Sequence, residues 1–342
     1  MKNLHLKEKS SDSKKVFKTI RHSYLLWLFY FLKQHPLAVK KKLIVIVGPT
    51  AIGKTEIAIH VAKHFRTEII SADSRQFYWE LKTGTAKPDE DELKEVPHHL
   101  INSISITDTY NVGTFETDAL SCLDKIFGNH DSAVMVGGSG LFVDAVCNGL
   151  DELPESDPEL RDELRALSDK EGIKGLQQKL AVLDPEYYSV VDQSNPHRLV
   201  RAIEICMLTG MKYSDLRKKE KKKRNFSVIK IGLDEGRENV YQRINNRVDK
   251  MIEEGLPEEA KRFYDRRHLN ALQTIGYKEL FDFFENKISL EEAVELIKRN
   301  TRRYAKRQLT WFRKDEEIKW FKPGELNDLI KFAEESIKSS AI

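Results

Sequence analysis

The string Gly48-Pro49-Thr50-Ala51-Ile52-Gly53-Lys54-Thr55 constrains this chain more than any other feature. It matches G-x-x-x-x-G-K-[ST] and follows a continuous apolar run, Leu43-Ile44-Val45-Ile46-Val47. After it, Ile57, Ala58, Val61, Ala62 and Phe65 recur with helical spacing. A run apolar at every residue reads as a strand buried on both faces, so strand, glycine loop and helix come in the order this motif requires. In such a loop the glycines let backbone N–H groups close around phosphate oxygens and the helix N-terminus adds positive potential. Lys54 supplies a point charge, and the Thr55 hydroxyl can hold magnesium (Mg2+). The pattern predicts a bound phosphate on Gly48, Thr50, Ala51, Ile52, Gly53, Lys54 and Thr55; it does not name a reaction.

Further strands are expected at 68–72 and 132–136, the latter ending in Gly137-Gly138-Ser139-Gly140, and again at 226–233. Alternating strands and helices predict an α/β fold, here a P-loop NTPase-like parallel sheet flanked by helices. From about Asp151 the composition turns acidic and helical, with no strand-like run before 226. The chain therefore divides into a basic N-terminal extension (1–42), a first part of the core (43–150), an all-helical insertion domain (151–225), and a return to the core with basic C-terminal helices (226–342).

The formal charge is only +3, yet residues 1–42 carry eleven Lys or Arg against two Asp or Glu, which leaves the remainder at −6. Net charge thus says nothing about nucleic acid, whereas clustering does. Between 298 and 314 there are eight Lys or Arg and no acid, interleaved with Tyr304, Trp311 and Phe312. Such a strip can track a phosphate backbone and offer stacking surfaces, or it can be an amphipathic helix whose aromatics are core. The run 217–224 is a second basic cluster, read first as a solvated face and only second as an RNA contact. The apolar run 24–32 is too short to span a bilayer and lacks a small-x-small cleavage site. A disordered or helical appendage, a membrane-surface helix and a mis-called start codon all remain open for 1–42. Cys122, Cys147 and Cys206 have neither disulfide-framework nor zinc spacing, as expected in a reducing, cytoplasmic setting.

Asp73 ends the second expected strand, in Ile69-Ile70-Ser71-Ala72-Asp73-Ser74. Carboxyl ends of strands are where open α/β sheets bind ligands, so Asp73 is expected to face the phosphate crevice. Two other readings stay open: a helix N-cap, and a magnesium-holding carboxylate of a nucleotide hydrolase. The neighbours His98 and His99 are read as hydrogen-bonding rather than metal-binding.

Several blocks then agree in order with one family. The glycine loop is followed by Ser71-Ala72-Asp73-Ser74-Arg75-Gln76, Gly84-Thr85-Ala86-Lys87-Pro88, Pro97-His98-His99-Leu100 and Gly137-Gly138-Ser139-Gly140-Leu141. Next come Asn195-Pro196-His197-Arg198-Leu199-Val200-Arg201-Ala202, Gln273-Thr274-Ile275-Gly276-Tyr277-Lys278-Glu279 and Ala305-Lys306-Arg307-Gln308-Leu309-Thr310-Trp311-Phe312-Arg313. Over 43–322 the chain resembles the tRNA dimethylallyltransferases, also called tRNA isopentenyltransferases. Where the family usually has Thr, Tyr, Gln and Asp, this chain has Ser139, Phe142, His197 and Asn102; only Asn102 removes a charge. The zinc finger of eukaryotic relatives is absent, which points to a bacterial-type member.

The resemblance implies attack by the exocyclic N(6) amine of an adenosine, at position 37 beside the anticodon of a tRNA, on dimethylallyl diphosphate, with release of diphosphate and no ATP cleavage. The glycine loop would hold the leaving group, aided by Lys54, by Mg2+ on Thr55, and by Arg243 or Arg247, four apart on one face of an expected helix and not distinguished from one another. Thr50 would add a hydrogen bond beside the leaving oxygen, and Asp73 would hold and deprotonate the amine. The family match assigns tRNA contact to Asp73, Ser74, Arg75 and Gln76, to His197, Arg198, Leu199, Val200 and Arg201, and to the stretch Gln273–Leu280 with Gln273, Gly276 and Lys278; Ser139 is a further candidate. Arg161 in the insertion and Lys306 and Arg307 in the basic strip join them, with the insertion clamping the anticodon stem. No stable protein partner is expected, and a monomer suffices. Two alternatives use the same residues: an adenine-nucleotide isopentenyltransferase, and a P-loop ATPase or kinase with an RNA-binding tail.

Overall fold

The computed structural model describes residues 40–218 and 220–339. The expected N-terminal extension, its apolar run included, lies outside them apart from its last three residues. Six parallel strands form one sheet in the order β3-β2-β4-β1-β5-β6. They are β1 Lys41–Val47, β2 Ile69–Ser71, β3 His98–His99, β4 Ser132–Gly137, β5 Phe226–Leu233 and β6 Lys319–Phe321. β1 begins two residues before its apolar run because Lys41 and Lys42 still pair with Phe226 and Ser227 of β5. The short edge strands β3 and β6 carry no apolar run that sequence reading could have found.

Alternation along β1 splits the core between two faces. Ile44 and Ile46 point into a cluster with helix α1 (Lys54–Phe65) and with α10 (Arg237–Glu253), α13 (Leu290–Phe312) and α14 (Leu326–Ser339). Leu43, Val45 and Val47 point the other way, against α3 (Val112–Asn129) and α4 (Gly140–Asn148). The short α2 (Glu90–Glu95) is closed by a capping box on Asp89 and Glu92. Because α1 leaves β1 on one face and α4 leaves β4 on the other, the crevice between the carboxyl ends of β1 and β4 is the switch point of the sheet, where such folds take their ligands.

Between α4 and β5 five helices follow one another: α5 (Pro158–Glu171), α6 (Ile173–Leu183), α7 (Pro185–Val190), α8 (Pro196–Thr209) and α9 (Tyr213–Leu216). They enclose a separate apolar cluster built on Leu164, Leu176, Leu180, Leu199, Ala202 and Ile203. Asp157, Asp184 and Asn195 cap α5, α7 and α8, each with proline in the first turn, so the acidic and proline punctuation marks real helix starts. After β5 come α10, α11 (Leu256–Arg262), α12 (Tyr277–Phe284) and the long α13, which returns across the crevice.

Candidate active site

The glycine loop leaves β1 at the switch point. Gly48 lies so close to Leu233 of β5 that a Cβ there would come within 2.7 Å of the Leu233 carbonyl oxygen. Gly53 takes φ +92 in open space, a conformation that glycine adopts without strain. Ile52 is fully buried, its side chain part of the apolar core beneath the loop. The Lys54 ammonium folds back to donate to the Pro49 carbonyl at 2.8 Å. Burial pulls it down to about 8, the Asp73 carboxylate opposing and Arg247 adding to the shift.

A cavity of about 210 Å³ opens over this loop, lined by Thr50 to Thr55 and reached by Asp73, Lys87, Arg247, Tyr304 and Gln308. A second, of about 540 Å³, adjoins it; Thr50, Asp73, Thr85, Arg247 and Tyr304 line both. The second cavity extends past Ser74 and Arg75 to Gln273, Gly276, Lys278, Arg303 and Arg307. A third, of about 570 Å³ beneath Trp311 and Lys230, includes none of the loop residues and lies away from the chemistry.

Asp73 is held by a tight turn rather than by a helix: its carboxylate accepts the Arg75 N–H at 3.0 Å, and turns, not a helix, follow it. The N-cap reading of Asp73 is therefore corrected. Ser139 ties this turn to the glycine turn after β4, its hydroxyl accepting the Ser74 N–H at 3.2 Å. The Tyr304 hydroxyl also hydrogen-bonds with Ser139; burial, with Asp73 nearby, pushes that phenol up to about 12. One turn further along α13, Gln308 accepts the Thr50 N–H at 2.8 Å and donates to the Gly138 carbonyl at 2.9 Å. Thus a single helix face holds both the phosphate loop and the Asp73 turn.

The two arginines separate. Arg247 lines both cavities, donates to the Ala86 carbonyl at 3.4 Å, and is lowered by burial while Asp73 pulls against the shift. Arg243 lines neither; it pairs with Glu235 at 2.9 Å with 47% of its side chain exposed. The expectation that either could serve is corrected in favour of Arg247. On the Val240, Ile244 and Val248 stripe that α10 buries, helical geometry puts Arg247 about 60° off centre and Arg243 about 100° off. That angle was available in the sequence.

The residues expected to meet RNA fall into two groups. Exposed are His197 and Arg198 at the start of α8, Gln273 and Lys278, and Lys306 and Arg307 on α13, with Val200 half-buried. The others are engaged within the fold. Arg161 and Arg201 both bind the fully buried Glu204, Leu199 is buried in the insertion's apolar cluster, and Arg75 donates to the carbonyls of Asn270 and Ala271. Gln76 donates to Thr85 and Ala86. The leucine side chain cannot touch a ligand, and the arginines and glutamine have structural partners to satisfy first. In the 217–224 run, Arg224 is nearly buried against Glu116 and the Val146 carbonyl, while Lys221 and Lys222 pair with Glu317 and Glu152. His99 meets Glu68 at 2.6 Å, and His98 Nδ1 meets the Val96 carbonyl.

The family model described as IPP transferase matches residues 76–315. The chain belongs to that family. It is 59% identical over 279 residues to the tRNA dimethylallyltransferase of Christiangramia forsetii, covering 82% of this chain and 92% of that one. It is 47% identical over 307 residues to the tRNA dimethylallyltransferase of Flavobacterium johnsoniae, covering 88% and 99%. Among solved structures it is similar to the tRNA isopentenylpyrophosphate transferase of Bacillus halodurans, at 38% identity and TM-score 0.65, covering 88% of this chain and 98% of that one. A eukaryotic dimethylallyltransferase acting on tRNA matches with TM-score 0.70 at 26% identity, covering 86% of this chain and 77% of that chain. Among the described residues no helix is long and apolar enough to cross a membrane.

Proposed function

We propose that this IPP transferase family member moves the dimethylallyl group from dimethylallyl diphosphate to the N(6) amine of the adenosine at position 37 of tRNA and releases diphosphate. One observation carries this: the phosphate loop and the Asp73 carboxylate open onto adjoining cavities that share Thr50, Asp73, Arg247 and Tyr304. A hydrolase needs its acid beside a metal and an attacking water. Here the acid stands where a wider, partly apolar channel meets the phosphate cradle.

In the reaction the amine nitrogen attacks the allylic carbon, the carbon–oxygen bond to diphosphate breaks, and the amine proton passes to Asp73. An aromatic amine is a poor nucleophile, so a carboxylate within hydrogen-bond reach raises its electron density as the bond forms. The charge leaving on oxygen meets Lys54, the N–H groups of the loop and Arg247, all fixed before the reaction starts. The Thr55 hydroxyl, a hard oxygen donor lining the phosphate cavity, would hold a magnesium ion there. When bound, that ion would neutralise diphosphate charge.

Extruding a base for chemistry favours an unpaired loop, and an anticodon loop is one. Arg307 lines the wider cavity with the exposed Lys306 next to it on α13, and His197 and Arg198 stand at an exposed helix start on the insertion that would clamp the stem. The enzyme acts as a cytoplasmic monomer. Incubation with labelled dimethylallyl diphosphate and either bulk tRNA, AMP or ATP alone tests the proposal. Label in tRNA is expected; label in AMP only, or phosphate release without transfer, overturns it.

A further inference from the structure

Glu259, on α11, takes no direct part in either cavity, yet it is 8% exposed and carries an unusually dense set of hydrogen bonds. Its carboxylate accepts the backbone N–H groups of Lys82 (3.2 Å), Thr83 (2.9 Å) and Gly84 (3.1 Å), and the Tyr277 hydroxyl as well. Bonds from several donors to one carboxylate are strong and directional. They fix the short turn Thr83–Thr85, whose Gly84 lies so tightly on Tyr277 that a Cβ would come within 2.6 Å of the ring. The turn ends at Ala86 with φ 43, a strained value for a residue with a side chain that persists only when its surroundings impose it.

What this turn presents is the Ala86 carbonyl. It accepts Arg247 Nη2 at 3.4 Å and Gln76 Nε2 at 3.2 Å. Gln76 also donates to the Thr85 carbonyl, and its own N–H donates to the Asp73 carbonyl. One carbonyl is therefore shared by the arginine on the leaving-group side and by the segment that carries Asp73.

We propose that Glu259 is a positioning residue for the transfer reaction: through the 82–86 turn it holds Arg247 toward the diphosphate and keeps the Asp73 turn at a fixed distance from it. This deepens the proposed function and rests on it. With Glu259 neutral or shortened, the turn loses its anchor, the Ala86 carbonyl moves, and Arg247 loses the contact that aims its guanidinium.

Calorimetric titration with inorganic pyrophosphate, magnesium present, tests this on the native chain, E259Q, R247K and the double variant. E259Q should weaken pyrophosphate about tenfold in the native background and far less in the R247K background, the signature of two residues acting as one unit. Affinity for an anticodon stem-loop should be unchanged, and E259D should recover part of the loss. Equal loss in both backgrounds, or no loss, overturns the proposal. If E259Q does not fold, Y277F, which removes one of the bonds to Glu259, carries the same comparison with about a threefold effect expected; no loss there, or a loss undiminished by R247K, overturns it. Pyrophosphate binding needs no turnover. A chain that shows this coupling and yet fails to prenylate tRNA would defeat the reaction and leave the clamp standing.

Discussion

The Thr50 N–H donates to Gln308 Oε1 across 2.8 Å, joining residues 258 positions apart in sequence. The same amide donates to Gly138, so Gln308 straddles the carboxyl ends of β1 and β4 at the point where the sheet reverses its winding. A Cβ on Gly138 would come within 2.1 Å of the Gln308 amide nitrogen, so this close approach requires glycine at 138. The helix that carries the exposed Lys306 and Arg307 is thereby bonded directly to the glycine loop.

Gln308→Glu keeps the acceptor for Thr50, loses the donor to Gly138 and brings a negative charge to the phosphate cavity. We expect kcat/KM for dimethylallyl diphosphate to fall by about ten- to a hundredfold while tRNA affinity holds. Steady-state kinetics with each substrate varied in turn will check this; an unchanged KM and kcat would show that the bridge is dispensable.

Arg247→Ala should cost about two to three orders of magnitude in transfer rate, since it removes a fixed cation from where charge develops. Arg243→Ala breaks only a half-exposed surface pair with Glu235, worth about 0–1 kcal/mol of stability, and should leave the rate near that of the native chain. Comparing the two variants under single turnover decides between them, and equal losses would return Arg243 to the site.

Burial pulls both Lys54 and Lys87, which line the phosphate cavity, down to about 8. In the free site their positive charge is present below that pH and is lost as pH rises through it, whereas a bound diphosphate holds the protons on. Pyrophosphate affinity should therefore fall above pH 8, by about tenfold per pH unit for each lysine that must be reprotonated. Lys54→Arg stays charged and should lower that slope by one proton. A titration series on both proteins measures it, and an unaltered slope would remove Lys54 as the titrating group.

The fully buried Glu204 joins Arg161 and Arg201 within the insertion. Burial works against its charge, but hydrogen bonds from both arginines and from the Asp157 N–H hold the carboxyl below its usual value. Its contribution to stability is thus present above the ordinary glutamate range and is lost as pH falls through the lowered value. Glu204→Ala leaves two partly exposed guanidinium groups without their carboxylate and should destabilise the insertion by about 1–3 kcal/mol, visible as early hydrogen exchange across α5 and α8. Protection equal to the native chain would mean that this pairing does not hold the insertion together.

Much of this was legible from the sequence for a physical reason. Strands buried on both faces announce themselves as unbroken apolar runs, so β1, β4 and β5 could be read to within two residues, and the glycine loop fell between β1 and α1 as its motif demands. The acidic, proline-marked stretch after Asp151 was readable because capping residues advertise helix starts. What stayed hidden depends on contacts made at long range. Gln308 and Glu259 look like ordinary polar positions on amphipathic helices, and only the return of α11 and α13 over the sheet brings them to the loop and the turn. Leu199 sat in a block that resembles an RNA-contacting family and Arg161 in the insertion read as a stem clamp, while their burial and pairing follow from how five helices pack on one another.

The most direct test of the central claim is a rapid-quench single-turnover measurement on Asp73→Asn, with the anticodon stem-loop and dimethylallyl diphosphate both saturating. The asparagine can still hydrogen-bond to the amine and cannot take its proton. The account predicts that the variant folds, binds both substrates with near-native affinity, and transfers the dimethylallyl group about a hundred- to ten-thousandfold more slowly. A transfer rate equal to that of the native chain would contradict it.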